Sequence, residues 1–307
     1  MAACMDGTIA QSRPLLALGL RLGAAAALAT VAMLVKLAGE RGAALAEIIF
    51  WRQFVTALIV TAGLTLAGRL ALVRTRRFGA HARRSLYGIV GMCFVYGAVL
   101  LLPLAEATTI SFTTPIFAVL LAVLLYRERV GKYRAAAVAI GFVGVAIVMQ
   151  PGGGTVSPIG AAVGLIAAFM VALISHQIQD LNVTESPFAI IFWFAVLTTP
   201  LAALTLPFVF VPHDVGTWLV LVAGGVAGAV AQLLLTASLR FGAAATVIVM
   251  DYTSLLWATL YGFVVFDRLP PASLWLGAPL IVAAGITIVL RERALKRAAE
   301  LAEQSGV

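Results

Sequence analysis

Long continuous apolar stretches, broken by glycine, proline and short charge runs, set the rhythm of this chain. They fall into ten segments, at about 15–38, 44–67, 86–104, 108–126, 133–149, 158–179, 187–209, 216–239, 243–266 and 270–290. A helix needs about 20 apolar residues to cross a bilayer. Within hydrocarbon, backbone polar groups must be satisfied inside a helix or around a closed barrel. Barrel strands alternate apolar and polar positions; these segments do not, so they predict helices. The expected fold is an all-α polytopic membrane protein with ten transmembrane helices. Its first segment is too long for a signal-peptide core and has no small-residue cleavage site behind it, so it predicts a retained span.

Composition sharpens this. Of 307 residues, 62% are hydrophobic and 11% are charged, with a mean hydropathy of +1.06. Soluble domains carry about 25% charged residues, so a soluble globule is excluded. The net charge of +8 raises the question of nucleic acid, but the placement of the basic residues answers it. Arg69, Arg74, Arg76, Arg77, Arg83 and Arg84 crowd one connection, Arg127, Arg129, Lys132 and Arg134 another, and Arg291, Arg293, Lys296 and Arg297 follow the last apolar segment. With both termini inside, 16 basic residues fall on the cytoplasmic side and two, Arg41 and Arg268, on the outside. That is the positive-inside pattern, and no aromatic interleaving suggests base stacking. The expected partners are the lipid bilayer and a small solute, with no nucleic acid, and the chain is expected to work as a monomer.

The sequence repeats once. Ile48-Ile49-Phe50-Trp51 recurs as Ile190-Ile191-Phe192-Trp193, and Gly19-x-x-x-Gly23 recurs as Gly160-x-x-x-Gly164. Glu128-Arg129 matches Asp267-Arg268, and Gly144-Val-Ala-Ile-Val matches Gly285-Ile-Thr-Ile-Val. Offsets of 139 to 142 residues, in corresponding segments, predict two five-helix repeats at 15–150 and 158–290, with a cytoplasmic tail at 291–307. Five is odd, so the second repeat enters the membrane inverted. Inverted repeats are a recurring build of secondary transporters, with the solute site near the midplane between them. Pro151-Gly152-Gly153-Gly154 reads as the flexible joint, since no Gly-Lys-Ser/Thr follows to make a phosphate loop. The pairs Gly19/Gly23, Gly160/Gly164 and Gly224/Gly228 predict close helix seams, static or sliding.

Leu102-Pro-Leu-Ala-Glu-Ala-Thr-Thr-Ile-Ser-Phe-Thr-Thr-Pro115, then Tyr126-Arg-Glu128-Arg and Gly141-Phe-Val-Gly144-Val, resembles the first EamA repeat of the drug/metabolite transporter superfamily. Asp251-Tyr-Thr-Ser254, Phe266-Asp267 and Gly277-Ala-Pro-Leu-Ile-Val-Ala-Ala-Gly285 resemble the second. The resemblance runs from about Leu15 to Arg293. It implies two inverted five-helix halves, a central cavity and alternating access without ATP. Within the superfamily the chain looks most like bacterial inner-membrane exporters of amino acids and related metabolites, the YddG-type carriers. The superfamily also holds importers of S-adenosylmethionine and carriers of riboflavin, nucleotide sugars or quaternary amines. Small four-helix quaternary-amine carriers use a glutamate in their first helix. The first segment here offers Arg21 and Lys36 and no acid.

Charge within hydrocarbon costs about 2.5–3.5 kcal/mol per residue on insertion scales, so the embedded charges call for an account. Arg21 and Lys36 lie close enough to segment ends to snorkel. Glu47 and Glu106 fall at external ends, where solvated carboxylates are expected, though Glu106 is also placed to guard an external mouth. Arg52 and Asp251 each lie about 12 Å deep at 1.5 Å per residue. In the repeat Arg52 matches Phe194 and Asp251 matches Phe112. Two readings stand: a structural role, by pairing across the bundle or by each satisfying local backbone, or one or both as cavity groups for the charged ends of a zwitterion, with proton coupling at Asp251 a further option. Tyr96, Thr109, Thr113, Pro115, Gln232, Tyr252, Ser254 and Trp257 complete the expected cavity lining, each with core packing as its alternative. Pro115 frees a carbonyl one turn earlier and kinks its helix.

No cofactor or metal is expected. The two cysteines, Cys4 and Cys93, make no disulfide framework. The histidines His81, His176 and His213 lack metal-ligand spacing. His81 and His213 are expected in loops, and His176 near an inner helix end. An intramembrane enzyme would need a nucleophile–base pair or a metal motif, and a channel a ring-like filter; neither pattern is present. The expected function is secondary transport, with export of amino acids preferred over uptake of one metabolite such as S-adenosylmethionine or riboflavin.

Overall fold

A computed structural model describes residues 14–126, 131–149, 157–241 and 249–304. These form α1 (Pro14–Glu40), α2 (Leu45–Leu66), α3 (Phe78–Leu101), α4 (Leu104–Ser111), α5 (Thr114–Tyr126) and α6 (Lys132–Met149). The second half supplies α7 (Pro158–Asn182), α8 (Pro187–Ala203), α9 (Leu206–Val209), α10 (Val215–Phe241), α11 (Ser254–Phe266) and α12 (Ala272–Gln304). Tight 3-10 turns cover Leu70–Val73 and Val249–Thr253, and the described residues contain no strand. Among the described residues seven stretches are long and apolar enough to cross a membrane, one of them, Leu104–Leu121, running across the break between α4 and α5, and Ala135–Met149 and Pro187–Ala203 are shorter apolar helices.

Local chemistry sets the boundaries. Ser157 and Ser186 cap α7 and α8 by accepting from Gly160 and Ala189 N–H, each with proline at the first helical position. Asp214 caps α10, accepting from Gly216 N–H at 2.9 Å and from the Thr217 hydroxyl. The Thr217 bond holds this exposed carboxyl below the usual aspartate range.

The helices differ from the expected segments in four places. The helix expected from residue 86 begins at Phe78, which draws His81, Arg83 and Arg84 out of the connection and into α3. The single helix expected over 108–126 breaks at Phe112–Thr113 into α4 and α5. Pro115 has no N–H to give, and the Thr113 and Thr114 hydroxyls instead bond the Ile110 and Ser111 carbonyls, both at 2.7 Å. The segment expected over 187–209 ends at Ala203, with α9 as a separate turn. The expected tail continues α12 as helix to Gln304. The Pro151–Gly154 joint, Arg127 to Arg129, Cys4 and the start of the 243–266 segment lie outside the described residues.

Packing runs between the halves. α1 lies along α10 as α7 lies along α3; α2 packs on α8 and α6 on α12. The largest apolar cluster takes Val35 from α1, Ile49 from α2, Met92 and Val99 from α3, Ile110 from α4, Phe194 from α8 and Leu221 from α10. The backbone approach is tightest at Gly144 and Gly277, where a Cβ on Gly277 would sit 2.6 Å from the Gly144 carbonyl. The expected glycine seams differ among themselves. Gly160 and Gly164 hold Leu102 and Ile110 close, Gly228 makes room for Arg52, and Gly19 faces nothing within 4 Å.

The connections gather into two ends. At one, Arg77 donates to Asp180 Oδ2 at 2.8 Å, Thr75 to Glu185 at 2.8 Å, Ser186 to the Leu72 carbonyl at 2.8 Å and the Trp193 indole to the Val73 carbonyl at 2.9 Å. The stretches near residues 77 and 183 therefore share one end. At the other, His213 Nε2 lies 3.3 Å from both Glu47 oxygens. Glu47 also accepts from Ala44 N–H at 2.9 Å and is fully buried, not solvated as expected.

Candidate functional site

Among the described residues, three embedded arginines and their partners organise the polar interior. Arg21 on α1 forms a fork with Asp251, Nε to Oδ1 at 2.6 Å and Nη2 to Oδ2. This corrects two expectations: Arg21 is buried and does not snorkel, and Asp251 pairs with Arg21 instead of Arg52. The reason is local. Asp251 lies in the 3-10 turn that α1 packs against, and a planar guanidinium matches a carboxylate in two parallel bonds. Thr30 and the Tyr261 hydroxyl, 2.9 Å apart, tie the same seam nearer the other end.

Arg52 on α2 has a different setting. Its Nη1 donates to Gln53 Oε1 at 2.8 Å, and its guanidinium carbon lies 5.9 Å from the centre of the Tyr96 ring. Gln53, fully buried, donates to Thr198 on α8. Two turns from Met92 along α3, Arg84 stacks on Phe194, 3.8 Å from the ring centre. Arg52 Nε, Arg84 Nε and Nη1, and the Tyr96 hydroxyl have no hydrogen-bond partner among the described residues. Nor does any acid there form an ion pair with either arginine. Glu185 lies near the foot of this column but faces Thr75 and, at 3.5 Å, His81. His81, expected in a loop, is buried in α3.

The other expected lining residues divide. Tyr252 stacks edge-on against Phe112, ring centres 4.8 Å apart, and its hydroxyl fills the notch at Gly285 beside Pro115. Ser254 donates to the Asp251 carbonyl at 2.6 Å. Thr109 and Thr113 are fully buried, Thr109 with an unpartnered hydroxyl. Trp257 lies tilted against Tyr261 at a partly exposed face, and Gln232 is half-buried on α10. Thus Arg52 and Tyr96 meet, Pro115 and Tyr252 both flank Gly285, and Asp251 pairs with Arg21 of α1. The space beside Arg52 is about 10 Å³, room for a water molecule.

Known proteins share this build. Residues 15–150 match the EamA-like transporter family. A riboflavin transporter of Vibrio cholerae is 30% identical over 238 residues, which cover 75% of this chain and 78% of that protein. The chain belongs to the EamA-like transporter family. This EamA-like protein is also 27% identical to a pseudopaline exporter of Pseudomonas aeruginosa, over 79% of this chain and 85% of the exporter. A crystal structure of another protein has the same fold, with a TM-score of 0.58 at 22% identity over 92% of this chain and 99% of that one. The family and the apolar helices make this a multi-pass membrane protein with the build of bacterial inner-membrane transporters.

Arg84 and Gln53 escaped the sequence reading. Arg84 is one of six arginines in a run that the positive-inside pattern already explained. Its place one turn before Gly88, where α3 meets Phe194, shows only in the fold. Gln53 follows Arg52 in an apolar run, and a neutral amide there gave no charge to account for. Among the described residues no cluster of three metal-ligating side chains occurs.

Proposed function

We propose that this EamA-like protein is a secondary carrier that exports small carboxylate-bearing metabolites, amino acids foremost, across the bacterial inner membrane. Two inverted halves, 15–150 and 158–290, alternate access to a site between them. The observation that carries this reading is the pair of arginines, Arg52 against Tyr96 and Arg84 against Phe194, that lack a carboxylate partner among the described residues. A buried charge without a partner is costly. A solute carboxylate arriving between the halves supplies the missing anion, and Phe194 and Thr198 bring α8 of the second half to the same place. The exchange of partners between halves, α1 on α10 against α7 on α3, supports two equivalent units rocking about one site. Thr109, Thr113, Pro115, Gln232, Asp251, Tyr252, Ser254 and Trp257 would join the lining as the bundle opens. The small volume beside Arg52 belongs to a closed stage of that cycle.

Counterflow in proteoliposomes tests the proposal. Preloaded unlabelled amino acid should accelerate entry of the labelled one, and Arg52→Gln or Arg84→Gln should each lower the rate about tenfold or more, the equivalent of about 1.4 kcal/mol of lost solute interaction. Wild-type rates in both variants would remove the arginines from the solute path. The Vibrio cholerae relative favours a second reading, flavin transport. Riboflavin counterflow in the same vesicles, with none for amino acids, would establish it instead.

A further inference from the structure

At the end opposite the Arg77–Asp180 contact, the halves meet around a separate cavity of about 300 Å³. The first half contributes Lys36 from α1 and Glu106 from α4; the second contributes Thr259 and Phe266 from α11 and Arg268 from the turn beyond. That turn depends on Asp267, whose φ of 51° is left-handed, a conformation aspartate tolerates better than most residues. It folds Arg268 N–H back onto the Gly262 carbonyl at 2.9 Å and so brings the 268–271 stretch over the helix end.

The charges around this space are held apart. Lys36, 5% exposed, donates to the Val99 and Leu102 carbonyls at 3.2 and 2.9 Å, which satisfies the end of α3 where Pro103 stops it. Glu106, 2% exposed and not solvated as its position suggested, has an Oε2 with no hydrogen-bond partner among the described residues. No ion pair within 4.0 Å joins Glu106 to Lys36 or Arg268, although all three line the same cavity. A buried carboxylate oxygen without a donor is costly. Glu106, which has this unpartnered oxygen, is one of the residues that line the open space. Leu104, Phe266 and the prolines give the rest of the wall an apolar character. The volume lies at the lower end of the 300–1,000 Å³ or so of ligand pockets.

We propose that this cavity is a second solute site, at the outer mouth of the carrier, for the zwitterion of a small apolar α-amino acid. The ammonium group donates to Glu106 and the carboxylate accepts from Arg268, with Lys36 adding positive charge behind it. The site deepens the carrier reading, from which it takes its solute class, but it stands apart from Arg52 in space and in its test.

The test uses Thr259→Cys in the full-length chain with Cys4 and Cys93 replaced by serine, labelled in proteoliposomes by a membrane-impermeant maleimide. L-Leucine at about ten times its half-protecting concentration should slow labelling about tenfold. Leucine methyl ester and 4-methylpentanoate, which each lack one charge, should protect far less. Glu106→Gln should abolish protection, and so should Arg268→Gln, whose exposed position leaves the fold alone; Arg52→Gln should keep it. A labelling rate that ignores leucine would overturn the site and leave a water-filled structural cavity. Protection that survives both Glu106→Gln and Arg268→Gln, or vanishes with Arg52→Gln, would overturn it equally. Protection without counterflow would instead sink the carrier reading and leave the site standing.

Discussion

At the scale of single residues, burial separates charges that the sequence treats alike. Arg21, Arg52 and Arg84 are the same side chain in similarly apolar surroundings, yet Arg21 forks onto Asp251 while the other two face aromatic rings. Removing one member of a buried pair strands the other. Asp251→Asn or Arg21→Gln is therefore expected to cost about 2 kcal/mol, below the roughly 3–5 kcal/mol of fully buried pairs because the Asp251 side chain is 34% exposed. The double variant should lose less than the sum of the singles, whereas Arg52→Gln combined with Asp251→Asn should be additive. Thermal unfolding of the detergent-solubilised protein reads both. Additivity for Arg21 with Asp251 would count against the fork.

At the scale of helices, side chains that supply or replace backbone bonds decide where each one stops. Pro115 and the threonine hydroxyls before it divide α4 from α5, and Lys36 satisfies the last carbonyls of α3. The prolines were legible; the lysine's role was not, because its carbonyls belong to a helix more than 60 positions later in the chain. The contact of α6 with α12 rests on Gly144 and Gly277, where a methyl group on either would meet backbone that cannot rotate away. Gly277→Ala should destabilise the protein by about 1–3 kcal/mol, as overpacking does, and lower its melting temperature. Gly19→Ala, with open space beside it, should leave the melting temperature in place.

For the whole molecule, orientation is the consequence of charge and pairing is the consequence of topology. Single cysteines at Arg76 and Val183 should react with an impermeant thiol reagent from the cytoplasmic side, and one at Arg41 from the outside. Arg76→Cys and Val183→Cys labelled from opposite sides would break the meeting of the 77 and 183 stretches. All three reversed would invert the chain in the membrane. Hydropathy alone determined that this is a bundle of membrane helices, because a long apolar run has one way to satisfy its backbone in lipid. The internal repeat and the family motifs pointed to a carrier, since such motifs survive as strings of residues. Which acid meets which base was decided by the tertiary structure. Arg21 and Asp251 are 230 residues apart and form a pair, whereas Glu106 and Arg268 line one cavity from opposite halves and do not. A charge in hydrocarbon announces in sequence that it needs a partner, but a partner is chosen by distance in space, and helix packing alone sets that distance.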